Sequence, residues 1–237
     1  MEPSEYTLMD AAEAGMWWYR ARHARLLDAR ASARGRVLDA GCGTGGLLAV
    51  LAARRPDLDL VGLEWAQPAA LRAQQKSGAL VAGGSVNALP FATASFDAAV
   101  AADVLCHAAV DPAAALAELR RVLRPGGRLV VNMPAYQWLL SAHDRRVHNV
   151  RRLTAGATAT LLHDAGFTLV RARYWNGLLL PLMVVQRKLL ARGASASDIA
   201  PFPPWLDALF HGMTETERTL RLTLPAGGSV LATAETP

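Results

Sequence analysis

The sequence predicts an α/β protein built on a doubly wound, mostly parallel sheet, and three observations carry that prediction. From Gly35 onward, short β-type runs alternate with helical stretches, the pattern that gives a parallel sheet with helices on both faces. A glycine-rich run, Gly41-Cys42-Gly43-Thr44-Gly45-Gly46, stands between the first such strand and the first such helix. With 237 residues, 52% of them hydrophobic, the chain has the size of one large α/β unit and can bury a core without disulfides or a structural metal.

Residues 5–34 read as helical, with an aromatic knot at Trp17, Trp18 and Tyr19. Strands follow at 36–40, 59–64, 79–82, 97–102 and 128–133, where β-branched and small apolar residues are bounded by turn formers. Between them, helices are expected at 45–54, 67–75 and 112–123. The last of these has Asp111 as N-cap and Pro112 in its first turn. Pro125-Gly126-Gly127 should end that helix and turn the chain into the next strand. Residues 134–152 have no clean period and are rich in aromatics, His, Asp and Arg; a long irregular segment in a compact domain is usually functional or disordered. A helix at 154–165 and a strand at 167–174 resume the alternation. An apolar helix at 178–190, a loop at 193–204, a helix at 205–220 and a strand at 229–234 complete the chain.

The net charge of +5 sets 25 Lys and Arg against 20 Asp and Glu. Only Lys76 and Lys188 are lysines, and the arginines are scattered from Arg20 to Arg221. The densest group, Arg145, Arg146, Arg151 and Arg152, falls short of the basic tracts that mark nucleic-acid binding, so no nucleic-acid partner is expected. Its place beside the irregular segment suits instead an acidic group on a small substrate. The most apolar stretch, 178–185, is far below the ~20 residues that cross a bilayer, and no membrane span is expected. The opening Met-Glu-Pro-Ser-Glu-Tyr lacks a basic region followed by an apolar one, which predicts a cytoplasmic protein. Cys42 and Cys106 form no Cys-x-x-Cys pair, so they read as reduced thiols rather than as a zinc site.

The glycine loop fits two patterns. Gly41, Gly43 and Gly46 match a dinucleotide loop, whereas Gly41, Gly43 and Gly45 match an S-adenosylmethionine loop. Asp39, two residues ahead, can take a ligand ammonium, while a pyrophosphate at the helix N-terminus would gain nothing from it. Glu64, ending the second strand, suits ribose hydroxyls of either cofactor.

Four segments resemble the class I S-adenosylmethionine-dependent methyltransferases, in particular small bacterial type 11 enzymes related to the ubiquinone/menaquinone group. They are Leu38-Asp39-Ala40-Gly41-Cys42-Gly43-Thr44-Gly45, Ala88-Leu89-Pro90-Phe91 with Ser95-Phe96-Asp97, Asp103-Val104-Leu105-Cys106-His107, and Leu123-Arg124-Pro125-Gly126-Gly127. The resemblance implies a seven-stranded Rossmann-like methyltransferase fold. It implies S-adenosylmethionine as cofactor, with S-adenosylhomocysteine as product. Asp39, Gly41, Cys42 and Gly43 would meet the methionine moiety, Glu64 the ribose, Trp65, Ser85 and Val86 the adenine, and Asp103 would lie beside the sulfonium. Ser85 stands where many relatives have Asp, and Cys106 where they often have Glu.

His107 matches a family position near the transferred methyl and is the first candidate general base, because a pKa near 6.5 suits proton uptake at neutral pH. His143 and His148 follow. With Asp144 they have the chemistry of metal ligands, but one irregular segment without a second carboxylate is poor support, and no metal is expected. Tyr136, Trp138, Asp144, Arg151 and Arg152 are candidates for the acceptor site, as are Trp18 and Tyr19 in a flap anchored by Arg20 or Arg22. Each has an ordinary alternative as core aromatic or solvated charge. Residues 1–35 thus form a cap, 36–134 the cofactor core, and 135–237 the acceptor side and the end of the sheet, in one domain. The expected activity is O-methylation of a small molecule, by a monomer or homodimer. N- or C-methylation of a natural product or lipid-linked intermediate, a non-catalytic cofactor-binding role, and a nucleotide-dependent oxidoreductase are the competing readings.

Overall fold

The computed structural model describes residues 2–29, 34–190 and 202–237. Its centre is a seven-stranded sheet in the order β3-β2-β1-β4-β5-β7-β6. Strands β1 (Arg36–Ala40), β2 (Asp59–Glu64), β3 (Leu80–Gly83), β4 (Phe96–Ala102) and β5 (Leu123–Pro134) run parallel, while β7 (Ser229–Glu235) runs antiparallel between β5 and β6 (Thr168–Trp175). The predicted strands all appear, and β1 and β2 keep their predicted limits.

Successive strand residues face opposite layers. Val37, Leu60, Ala98, Val100 and Val130 pack beneath Leu26, Leu48, Leu51 and Ala73, from α2 (Trp17–Ala29), α3 (Gly46–Arg54) and α4 (Gln67–Ser77). Leu38, Val61, Leu63, Ala99, Leu129 and Val131 pack against Leu116 and Leu119 of α5 (Pro112–Val122) and Leu162 of α7 (Ala155–Asp164). Buried on both faces, these strands read as near-continuous apolar runs. The predicted cap of α5 forms, with Asp111 Oδ1 accepting from the Ala113 amide at 2.9 Å.

Three expectations change. The helix predicted for 5–34 is broken: α1 (Pro3–Ala12) ends in a turn through Glu13 and Gly15 before α2 starts at Trp17, and residues 30–33 lie outside the described residues. Pro125-Gly126-Gly127 does not separate helix from strand, because β5 already pairs Leu123 with Phe96 and then shifts register. Gly126, at φ +72°, carries that irregularity, and the Gly126 and Gly127 amides donate to the Thr236 carbonyl and hydroxyl. The segment after Pro134 is more ordered than its composition suggests, with a 3-10 turn at Gln137–Leu139 and the short α6 (Ala142–Arg146). Further on, α8 (Leu180–Val185) continues as a π-helical turn, Gln186–Leu190. The loop expected at 193–204 falls almost wholly outside the described residues, and α9 (Pro204–Thr219) follows it. No helix among the described residues is long and apolar enough to cross a membrane.

The two ends of the chain are tied together by a buried charge. Glu217 of α9 accepts from the amides of Asn176 and Gly177, at 2.7 and 2.9 Å, just beyond β6. It faces Arg25 of α2 at 3.8 Å, and both side chains are buried. Arg25 also donates to the Thr214 carbonyl and lies over the Trp175 ring. Removing one partner leaves the other charge and two amides stranded. Glu217→Ala is therefore expected to lower the unfolding free energy by about 3 kcal/mol or more. Urea denaturation checks this, and a loss below about 1 kcal/mol would contradict it.

Candidate active site

The strand order reverses between β1 and β4, and in open α/β sheets ligands bind at the carboxyl ends of the strands at such a switch point. A cavity of about 660 Å³ opens there. One end of it is shaped by the glycine loop and by three carboxylates from strand ends: Asp39, Glu64 and Asp103.

The loop conformation separates the two glycine patterns. Gly41, Gly43 and Gly45 have φ of +80°, +56° and +88°, whereas Gly46 opens α3 with an ordinary φ. Such positive φ values are accessible to glycine at little cost. At Gly45 a Cβ would also lie 2.6 Å from the Ala73 Cα, so this residue sets how closely α3 and α4 pack. Gly41 and Gly43 are common to both patterns, and of the two remaining glycines the one with positive φ, Gly45, belongs to the S-adenosylmethionine pattern.

Glu64 is buried and already engaged. Its Oε2 accepts from the Gly43 amide at 2.9 Å, and its Oε1 accepts from the Ala66 amide and the Tyr6 hydroxyl, both at 3.0 Å. Asp103 has φ +58°, a left-handed conformation that Asp tolerates better than most residues. Its carboxylate accepts from Asn132 Nδ2 at 2.8 Å and from Arg22 Nη1 at 2.9 Å. Trp175 Nε1 fixes Asn132 in turn, at 2.8 Å. The Arg22 guanidinium stacks over the Trp18 and Tyr19 rings. Cys42 is a packing group, because burial and the Asp39 and Glu64 carboxylates push its thiol well up.

With Glu13 added, this end of the cavity carries four carboxylates against the one guanidinium of Arg22. That donor set fits a cationic ligand with a sulfonium and an ammonium, and it would repel a pyrophosphate. The residues present therefore fit S-adenosylmethionine.

The N-terminal cap closes over this end. Tyr6, Met9 and Glu13 of α1 and the turn after it line the cavity. Glu13 accepts from the Thr44 hydroxyl at 2.9 Å and pairs with Lys76, Asp10 pairs with Arg72 and Lys76, and Glu5 faces Arg146 and His143 at 3.2 and 3.8 Å. In α2, Arg20 anchors to Asp207 of α9 and Arg22 to Asp103.

All nine residues expected to hold the cofactor line the cavity: Asp39, Gly41, Cys42, Gly43, Glu64, Trp65, Ser85, Val86 and Asp103. So do His107, His143 and His148, together with Trp18, Tyr19, Asp144 and Arg152. Burial pushes the His107 imidazole below its ordinary pKa, and the Asp103 carboxylate only partly offsets this.

Three candidates for the acceptor site are placed elsewhere. Tyr136 stacks on Tyr174 with centroids 5.4 Å apart. Trp138 is half exposed beside Tyr136, with the Lys188 ammonium over its ring. Arg151 spends its guanidinium on the carbonyls of Leu105 and His107, at 3.1 and 2.7 Å. Arg152 and Asp144 reach the cavity but are matched to each other: Arg152 Nη1 lies 2.9 and 3.0 Å from the two carboxylate oxygens, and both side chains are buried. Burial opposes ionisation of Asp144, yet the Arg152 and Arg187 guanidiniums outweigh it and hold the carboxyl below its usual range. Arg151 and Arg152 thus mainly build this loop. Among the described residues, no group of three or more His, Cys, Asp or Glu could hold a metal ion.

Sequence reasoning missed Tyr6, Glu13, Asn132 and Arg187. Asn132 carries a visible signal, being a polar residue inside the apolar run Val130-Val131-Asn132-Met133; the others are brought in by long-range packing.

Comparison with known proteins agrees with this geometry. A family model described as "Methyltransferase domain" matches residues 38–131. An O-methyltransferase of Aspergillus nomiae is 35% identical over 155 residues, covering 59% of this chain and 67% of that protein. An uncharacterised 37.1 kDa protein of a Streptomyces fradiae transposon is 43% identical over 108 residues, 44% of this chain and 31% of that protein. The chain therefore spans from about a third to two thirds of the length of these curated relatives. The fold is shared with a Thermotoga maritima S-adenosylmethionine-dependent methyltransferase described as a possible histamine N-methyltransferase. That structure has a TM-score of 0.62 at 19% identity, covering 99% of this chain and 96% of that chain.

At Gly43 a Cβ would lie 2.7 Å from Met9 Cε, and φ is positive. Gly43→Val and Asp39→Ala are each expected to abolish binding of S-adenosylhomocysteine, measured by calorimetry on variants that circular dichroism shows to be folded. Unchanged affinity in either folded variant would overturn the assignment of this end of the cavity.

Proposed function

The chain belongs to the S-adenosylmethionine-dependent methyltransferases, and we propose that it methylates a hydroxyl group of a small-molecule acceptor. The observation that carries this reading is the single cavity in which a carboxylate-rich end, built on Gly41–Gly45, adjoins an end lined by His107, His143 and His148. The identity to an O-methyltransferase over two thirds of that relative's length supports oxygen as the accepting atom.

When bound, S-adenosylmethionine supplies an electrophilic methyl group, which an acceptor oxygen takes as the carbon–sulfur bond breaks, leaving S-adenosylhomocysteine. Asp39 would hold the ammonium and Glu64 the ribose hydroxyls, exchanging the Tyr6 hydroxyl for them. Asp103, fixed by Asn132 and Arg22, would set the electrostatics beside the sulfonium. The chain's main tasks are then to align donor and acceptor and to exclude water, which the aromatic cap of α2 serves.

His107 would take the hydroxyl proton. Its lowered pKa leaves it neutral at pH 7, so it can accept a proton throughout the neutral range. Activity should therefore rise with pH through a midpoint below the ordinary histidine value of about 6.5 and be flat near neutrality. His107→Asn should lose at least ~100-fold in turnover, together with that acid limb. Transfer of a labelled methyl group from S-adenosylmethionine to a panel of hydroxylated acceptors, followed across pH, measures both. Wild-type rates for His107→Asn at every pH would reduce His107 to packing, and tight cofactor binding with no transfer to any acceptor would favour a non-catalytic role.

A further inference from the structure

S-adenosylmethionine carries an anion beside its sulfonium and its ammonium: the carboxylate of its amino-acid end. Glu13, Asp39, Glu64 and Asp103, which line this end of the cavity, would repel that group. A glycine loop that opens a helix can offer an anion two kinds of donor, the loop amides and the first amides of the helix. Here the protein uses both itself. The Gly41 and Cys42 amides donate to the Leu63 carbonyl at 2.8 and 2.9 Å, and the Gly43 amide donates to Glu64 at 2.9 Å. The Gly45 amide donates to the Cys42 carbonyl at 3.0 Å. At the start of α3 stands Glu13. Its Oε1 accepts from the Thr44 hydroxyl at 2.9 Å, and a Cβ on Gly46 would lie 2.4 Å from its Oε2. An acidic side chain of the cap thus occupies the helix N-terminus, where the helix dipole favours it.

The remaining candidate is Arg22, the one guanidinium at this end. It sits on the second turn of α2, with its guanidinium carbon 4.7 Å from the Trp18 ring centroid and 5.0 Å from that of Tyr19. Its Nη1 donates to Asp103 Oδ2 at 2.9 Å, while its buried Nε has no acceptor among the described residues. A guanidinium presents a planar fork of N–H donors, so the bond to Asp103 leaves capacity for a second carboxylate. Asp103 is fixed on its other side, because Asn132 Nδ2 donates to its Oδ1 at 2.8 Å.

We infer that Arg22 is the carboxylate receptor of the cofactor site. It binds the carboxylate of S-adenosylmethionine while Nη1 stays on Asp103, and it thereby ties the cap helix α2 to the bound cofactor. This rests on the reading of the cavity as an S-adenosylmethionine site. Placed between two carboxylates, one guanidinium offsets both, and the two rings against it fix the direction in which its fork opens. An acidic pocket would then prefer the ligand that carries a carboxylate over the one that lacks it.

Calorimetry with S-adenosylhomocysteine and with its decarboxylated analogue, in which hydrogen replaces the carboxylate, tests this. The two ligands share the adenosine, the sulfur and the ammonium, so the ratio of their affinities reads the carboxylate contact. In the unaltered protein S-adenosylhomocysteine is expected to bind about tenfold more tightly or better, a difference of about 1.4 kcal/mol or more. Arg22→Met should bring the ratio near one, and Arg22→Lys should keep part of it. Loosening of α2 in a variant affects both ligands and leaves their ratio unchanged. Arg22→Gln, which keeps a donor for Asp103, should also bring the ratio near one, and it carries the test if Arg22→Met does not fold. Equal affinities in the unaltered protein, or a preference that survives the neutral variants, would overturn the inference. If S-adenosylhomocysteine itself does not bind the unaltered protein, the cofactor reading fails; if it binds without preference over the analogue, only the role of Arg22 fails.

Discussion

The pairing of β1 with β2 on one side and β4 on the other is the constraint on which the site depends. In the parallel register Asp39 stands opposite Gly62 and Val100, so Asp39, Glu64 and Asp103 emerge together at the carboxyl edge. Apart from the Ala66 amide, two residues on from Glu64, the groups that hold Glu64 and Asp103 come from distant parts of the chain. A one-residue slip of β2 would carry Val61 and Leu63 from one helical layer to the other and would turn Glu64 away from the glycine loop, since side chains alternate across a strand. Core packing and site assembly are therefore enforced by the same register. The concentration of carboxylates at the switch point gains nothing from burial alone. It is held by amides of Gly43 and Ala66, by Asn132 and by Arg22, and a bound cation would offset it further.

The second end of the cavity has a different origin. It is built by elements that are not part of the cofactor core, and its organising contact is the buried pair of Asp144 and Arg152. That pair closes the loop after β5, because Arg152 Nε also donates to the Ala135 carbonyl at 2.9 Å. The loop so fixed presents His143 and His148 to the cavity while Arg151 braces the carbonyl of His107 from behind. The α1 helix then bridges the two ends, touching Glu64 through Tyr6 and Arg146 through Glu5. Cofactor and acceptor would thus be enclosed by one helix that contacts both compartments.

Much of this was legible in the sequence where the signal is local. Alternating apolar runs gave strand limits to within a residue or two for β1 to β4, and the residues from Asp39 to Gly45 that the sequence singled out lie at the carboxyl edge of the sheet, where Asp39, Gly41, Cys42 and Gly43 line the cavity. Composition misled where the answer depended on distance. The arginines at 145, 146, 151 and 152 look like a binding patch. Arg146 is paired with Glu5, Arg152 with Asp144 and Arg151 with main-chain carbonyls, contacts that no local period records. Arg187, which pairs with Asp144, lies 43 residues from it in a stretch whose sequence reads only as an apolar helix. Tyr136, aromatic and adjacent to the site in sequence, stacks instead on Tyr174 of β6, and Trp138 lies half exposed beside it. The break between α1 and α2 was hidden for a similar reason: the helical pattern continues across it, and Gly15 is its one mark.

The most direct test of the account is the crystal structure of the protein with S-adenosylhomocysteine bound. The predicted result places the amino-acid end over Gly41–Gly43 with its ammonium on Asp39, and the ribose hydroxyls on Glu64 in place of Tyr6. The sulfur would face the compartment lined by His107. Ligand density at another surface, with the glycine loop and Glu64 contacts unchanged, would contradict it.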